Sequence, residues 1–142
     1  MSTLNLEYDV PGDDFTRAGE ASSDVKKKLK QLGYNSDAVR RVAIAMYEGE
    51  INMVIHANGG KALVEIDTDQ VEIKLIDEGP GIKDVELAMQ AGWSTAPDNI
   101  RSLGFGAGMG LPNMKNYTDE MRVDSVLGKG TTVYMKVYSG KK

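Results

Sequence analysis

The apolar residues of the chain switch between two periods. From Thr3 to Val10 they alternate, with Leu4, Leu6, Tyr8 and Val10 on one side. That is the pattern of a half-buried strand, stopped by Pro11-Gly12. From Ala18 to Leu32 the spacing becomes helical, with Val25, Leu29 and Leu32 on one stripe and Gly33 as the stop. A second helix, capped by Ser36 or Asp37, runs to about Ala57. Val39, Val42, Ala43, Ile44, Met46, Ile51, Val54 and Ile55 make it apolar around much of its circumference, which predicts a central helix. Asn58-Gly59-Gly60 ends it.

Ala62 to Asp67 and Val71 to Ile76 read as two strands of a hairpin turning at Thr68-Asp69-Gln70. Asp77-Glu78-Gly79-Pro80-Gly81 breaks the second of them. Residues 84–90 suit a short helix. Residues 92–110 carry little periodicity and read as a long loop, the kind that in compact domains serves as a lid or binding loop. A helix from about Met109 to Asp119 follows, then strands from Met121 to Val126 and Thr131 to Tyr138, joined at Gly128-Lys129-Gly130. Short turns between sequential strands imply mostly antiparallel pairing with the helices gathered on one face. The predicted fold is therefore α+β, a two-layer sandwich with a mixed, mostly antiparallel sheet.

Composition narrows the function without defining it. The 142 residues suit one domain spanning 1–142, with no internal repeat or linker. A net charge of −4 with no basic patch gives no reason to expect a nucleic-acid partner. Lys26-Lys27-Lys28 reads as a solvated helix face. The absence of cysteine and the single histidine, His56, exclude disulfides, thiolate sites and multi-histidine metal sites. His56 lies four residues after Asn52 and is expected to be structural. No signal peptide and no apolar run of membrane-spanning length is seen, so the expected location is the cytoplasm, with no membrane partner.

The candidate chemistry sits at four places. Gly104, Gly106, Gly108 and Gly110 alternate with Phe105, Ala107 and Met109, then lead into Leu111-Pro112-Asn113-Met114. Glycine in this number suits neither a strand nor a helix. A glycine loop feeding a helix N-terminus offers free N–H groups to an anion, which points to phosphate. Glu48 and Asn52, four apart on the central helix, share a face. They read as a general base beside a magnesium ligand, or as two solvent-facing residues. Glu50, two residues from Glu48, points elsewhere on the helix. Asp77-x-Gly79-x-Gly81 can accept a hydrogen bond from an exocyclic amine beside a backbone open to a flat ring, or is simply a turn. Gly130-Thr131 is a hairpin turn, or places the Thr131 hydroxyl where it supports Asp77 or a bridging water.

Taken together and in order, these motifs resemble the GHKL (Bergerat) ATP-binding fold of gyrase B subunits, heat-shock chaperones, MutL-type repair proteins and sensor histidine kinases. The resemblance covers roughly residues 36–138. The chain has no room for a gyrase-type transducer domain, and His56 falls inside the nucleotide helix rather than on a phosphoacceptor helix. What remains resembles the stand-alone anti-sigma-factor and switch serine/threonine kinases of bacterial stress and sporulation control. Leu111-Pro112 after the glycines leans toward the switch-kinase branch.

The resemblance implies a role for each matching residue. Glu48 would be the base, Asn52 would hold Mg2+, and Asp77 would bind the adenine amine of ATP between Gly79 and Gly81. Gly104, Gly106, Gly108, Met109, Gly110 and Leu111 would form the phosphate loop, Arg101 would reach the terminal phosphate, and Thr131 would back Asp77. It implies phosphorylation of a serine or threonine on an anti-anti-sigma or scaffold partner of the STAS type. The alternative is a nucleotide-dependent binding module that sequesters a sigma factor with little or no kinase activity. A bare ATPase is a third reading. An exposed apolar face on the first helix would suit a homodimer.

Overall fold

Alternation along each strand determines which face of the sheet the helices cover. The computed structural model describes residues 4–11, 19–57, 59–77, 79, 110–126 and 128–139. Within them the chain runs β1 (Leu4–Pro11), α1 (Glu20–Gln31), α2 (Ser36–Ala57), β2 (Gly59–Ile66), β3 (Gln70–Asp77), α3 (Gly110–Asn116), β4 (Glu120–Val126) and β5 (Gly130–Tyr138). The strands form one sheet in the order β1-β2-β3-β5-β4, and every neighbouring pair is antiparallel. The expected short helix at 84–90 and the loop at 92–109 lie outside the described residues.

Register turns the alternation into two faces. Leu6 lies opposite Val64, Val64 opposite Ile73, Ile73 opposite Met135, and Met135 opposite Met121, an apolar row across all five strands. It belongs to the core cluster that Val25, Leu29, Val42, Met46 and Met114 of the helices complete. One residue along, the row reads Asn5, Glu65, Glu72, Lys136 and Glu120. There Lys136 reaches Glu72 at 3.4 Å and Glu120 at 4.0 Å. A slip of one residue in any strand would bury charge, so the register is strongly specified.

The helix ends show where local signals were read correctly and where they were not. Gly33 (φ 82°) closes α1 as foreseen: its N–H bonds the Lys30 carbonyl and the Tyr34 N–H bonds that of Leu29, a Schellman motif. The cap of α2 is Asn35, not Ser36 or Asp37. Its Oδ1 accepts from the Ala38 amide at 2.8 Å. Helix α3 stops at Asn116, short of Asp119. The Thr118 hydroxyl bonds the Met114 carbonyl, and the Asp119 amide is drawn to the Lys136 carbonyl of β5. The stripe on α1 is not the exposed apolar face expected of a dimer contact. Val25 and Leu29 are fully buried where α1 packs on α2, and only Leu32 is exposed.

Candidate functional site

Four elements converge where β3 ends, and two glycines permit it. Gly49, in the middle of α2, lies against Leu75 of β3 and Met114 of α3. A Cβ there would sit 2.0 Å from Leu75 Cδ1 and 3.4 Å from Met114 Sδ. A glycine inside a helix costs about 1 kcal/mol against alanine, and here it lets three elements close together. Gly60 of β2 lies under the last residues of β3, its would-be Cβ 2.2 Å from the Ile76 carbonyl oxygen and 3.1 Å from Asp77 Cα.

Asp77 is held by backbone on both sides. Its Oδ1 accepts from the Gly79 amide at 3.0 Å and from the Thr131 amide at 3.1 Å. The second bond follows from register, because Asp77 and Thr131 are partners across β3 and β5. The support from Thr131 thus comes through its amide. The Thr131 hydroxyl, expected to serve Asp77 or a water, is 2.8 Å from Ser125 Oγ on β4.

Glu48 is half-buried on α2, beside Gly49. Its Oε1 accepts from Asn113 Nδ2 of α3 at 3.4 Å. Burial pushes its carboxyl above the ordinary carboxylate range, and the Asn113 amide partly opposes that. A raised folded value favours the protonated form, so this group's contribution falls as pH climbs from the unfolded carboxylate value through the raised one. Glu48→Gln, which removes the charge, is therefore expected to melt above the parent near neutral pH, with the gap closing in acid. Calorimetric melting of both proteins across that range checks it, and a gap that widens in acid would contradict it.

Asn52 is half-buried one turn beyond Glu48. Its amide oxygen is a hard donor of the kind Mg2+ accepts, and magnesium on a nucleotide needs only one or two protein oxygens. Among the described residues there is no cluster of three or more His, Cys, Asp or Glu that could hold a metal by itself. A cation at Asn52 would therefore depend on phosphate and water. Gly110 and Leu111 open α3, with Leu111 buried. Gly81, Arg101, Gly104, Gly106, Gly108 and Met109 lie outside the described residues, as does the side chain of His56.

Reading residue by residue missed the role of Glu50. It points away from the Glu48 face, and it is 2% exposed. Its carboxylate accepts from the amides of Gly19, Ala21 and Ser22 at 2.9, 3.3 and 2.7 Å, capping α1 from a different helix. Gly19 (φ 97°) provides no side-chain cap of its own. The available signal was a second carboxylate two residues from Glu48, on another face of a largely apolar helix.

A family model described as the histidine kinase-like ATPase domain matches residues 13–137. An anti-sigma F factor of Thermoanaerobacter sp. (strain X514) is 35% identical, with 99% of this chain and 94% of that protein covered. Another, from Caldanaerobacter subterraneus subsp. tengcongensis, is 36% identical over 78% of each. Among solved structures, the RsbU and RsbW domains of Rv1364c from Mycobacterium tuberculosis superpose with a TM-score of 0.58 at 16% identity. That match covers 96% of this chain and 32% of that one. The mycobacterial sensor histidine kinase MprB superposes at 0.54 with 19% identity, covering 95% and 97%. The two superpositions bear on the fold alone; with the family match and the anti-sigma relatives, the chain belongs to the histidine kinase-like ATPase family, of the GHKL anti-sigma and kinase type.

Proposed function

We propose that this protein is a cytoplasmic, single-domain serine/threonine kinase that transfers the terminal phosphoryl group of ATP to a regulatory partner of the STAS type. The observation that supports it best is the convergence at the end of β3. There Asp77 is held by the Gly79 and Thr131 amides, two residues beyond Leu75, against which Gly49, the neighbour of Glu48 on α2, is packed. Asp77 would accept from the adenine amine, with Gly79 and Gly81 beside the ring. The glycine run from Gly104 to Gly110, with Met109 and Leu111, would wrap the phosphates through backbone N–H groups, and Arg101 would reach the terminal one. Asn52 would ligate Mg2+, which supplies charge neutralisation at the phosphates when bound.

Glu48 is the chain's own participant in the transfer. Its carboxylate takes the proton of the acceptor hydroxyl as that oxygen forms its bond to the terminal phosphorus. The bond from phosphorus to the bridging oxygen breaks, and ADP leaves with that electron pair. Burial suits this work, because a carboxylate raised above its ordinary value is a stronger base. Helix placement alone gives proximity; positioning and charge stabilisation supply the rest of what phosphoryl transfer needs.

The names of the relatives favour a second reading, in which the protein sequesters a sigma factor in a nucleotide-dependent way. Two substitutions separate the readings. Asp77→Asn keeps one oxygen for the Gly79 and Thr131 amides but turns the other acceptor into an NH2 facing the adenine amine. It is expected to fold normally and bind MgATP at least tenfold more weakly, or about 1.4 kcal/mol, measured by calorimetry. Glu48→Gln is expected to keep MgATP affinity and lose about 100-fold or more in phosphoryl transfer to a STAS-domain acceptor. Native protein that binds MgATP and a sigma factor yet phosphorylates no acceptor would replace the kinase reading with the sequestration reading.

A further inference from the structure

Among the described residues, Glu48 has one side-chain hydrogen-bond partner across the α2–α3 contact, Asn113, and that partner is fixed from several directions. Asn113 sits in the short helix α3, between Leu111 (5% exposed) and Met114 (fully buried). Met114 packs against the Gly49 position, directly beside Glu48 in sequence. Downstream, Arg41 of α2 reaches Asp119 at 2.8 Å, which ties the exit of α3 to the start of α2. Arg40 stacks over the Tyr117 ring at 5.7 Å. The Asn113 amide therefore faces the Glu48 carboxylate from a backbone held at both ends, and donates to it at 3.4 Å.

We propose that Asn113 is a positioning residue for the transfer reaction: its side-chain NH2 holds one oxygen of Glu48 and so turns the other toward the acceptor hydroxyl. The inference rests on the reading of Glu48 as the base. A carboxylate on a helix has free side-chain torsions, and proton abstraction needs it within hydrogen-bond reach and correctly aimed. A donor on a second, independently anchored helix removes that freedom. The same bond stabilises the ionised form, so the two influences acting on Glu48 are burial upward and Asn113 downward.

The test uses the full chain with Asn113→Asp, which keeps the shape and replaces the donor with an acceptor, and Asn113→Leu, which removes polarity. Carboxyl 13C NMR follows the Glu48 titration, the signal being identified by its loss in Glu48→Gln. Both variants are expected to raise the Glu48 midpoint by about half a pH unit or more, Asn113→Asp further. Transfer from radiolabelled ATP to a recombinant STAS-domain protein is expected to fall about tenfold in kcat, with KM for ATP unchanged and the acid limb of the rate profile displaced upward. A merely structural role would instead lower melting temperature and ATP affinity together and leave the midpoint in place. Native protein that transfers phosphate while both variants keep its kcat and midpoint overturns the positioning role alone. Native protein that transfers none overturns the base reading, and this proposal with it.

Discussion

Glu50→Ala is expected to destabilise the protein by about 3 kcal/mol, although Glu50 lies outside the candidate site. Its carboxylate is buried and accepts three backbone donors at the start of α1. Each hydrogen bond to a charged group contributes about 1.5–3 kcal/mol, and such contributions are not additive. Negative charge at a helix N-terminus adds up to about 2 kcal/mol when partly buried. Alanine leaves the donors of Gly19, Ala21 and Ser22 in an interior without an acceptor. For a domain of this size the melting temperature should fall by roughly 10 °C. Glu50→Gln keeps the volume and one acceptor and should lose about half as much. Urea unfolding gives the free energies, and hydrogen exchange at Ala21 and Ser22 localises the loss. Unchanged exchange there would mean that Glu50 does not hold α1.

Gly60→Ala is expected to be at least as damaging, for a different reason. The added Cβ would lie 2.2 Å from the Ile76 carbonyl oxygen. That obstacle is backbone, so β2 and β3 must separate; no side chain can rotate away. Overpacking a core typically costs about 1–3 kcal/mol and more when backbone must move, so about 3 kcal/mol or a failure to fold is expected. Because Ile76 leads into Asp77, the proposed adenine-binding role of Asp77 predicts that any folded fraction also binds ATP weakly. Gly128→Ala is the control. Its φ is +79°, but among the described residues nothing lies within 4 Å of the new Cβ. It should lose only about 1 kcal/mol, the penalty of a left-handed conformation for a residue with a Cβ. Calorimetric melting of the three proteins ranks them, and equal losses at the two glycines would show that the contact at Ile76 does not matter.

The two glycines also show why the candidate site was only partly legible. Glu48, Asn52, Asp77 and Thr131 each admit a bland reading alone; it is their order along the chain, together with the glycine run, that singles them out. Gly49 and Gly60 look like an ordinary helix residue and an ordinary turn residue. Their significance is that another element comes within van der Waals range, which spacing along one chain does not encode. Asn113 was legible only as part of the segment after the glycine run. Its contact with Glu48 spans 65 residues. Thr131 is the cross-strand partner of Asp77, and the contact between them is made by its amide where its hydroxyl was expected. Pairing register decides that, and the side-chain hydroxyl faces Ser125 instead.

Among the described residues, the sequence by itself determined the elements, their order and the sheet face they bury. Period-two and period-3.6 patterns act over a few residues, and the turn chemistry at Gly33 and at Asp67 to Gln70 is equally local. At the latter, the Asp67 carboxylate accepts from the amides of Asp69 and Gln70. The ordered motifs also carried the family. Only the tertiary structure decided the rest. It turned Glu50 into the cap of a helix about thirty residues upstream. It buried the α1 stripe against α2 within one protomer and ended α3 early to reach β5. Each of these depends on which distant surfaces meet, and that is settled by the collective packing of one core, where no single segment holds the information.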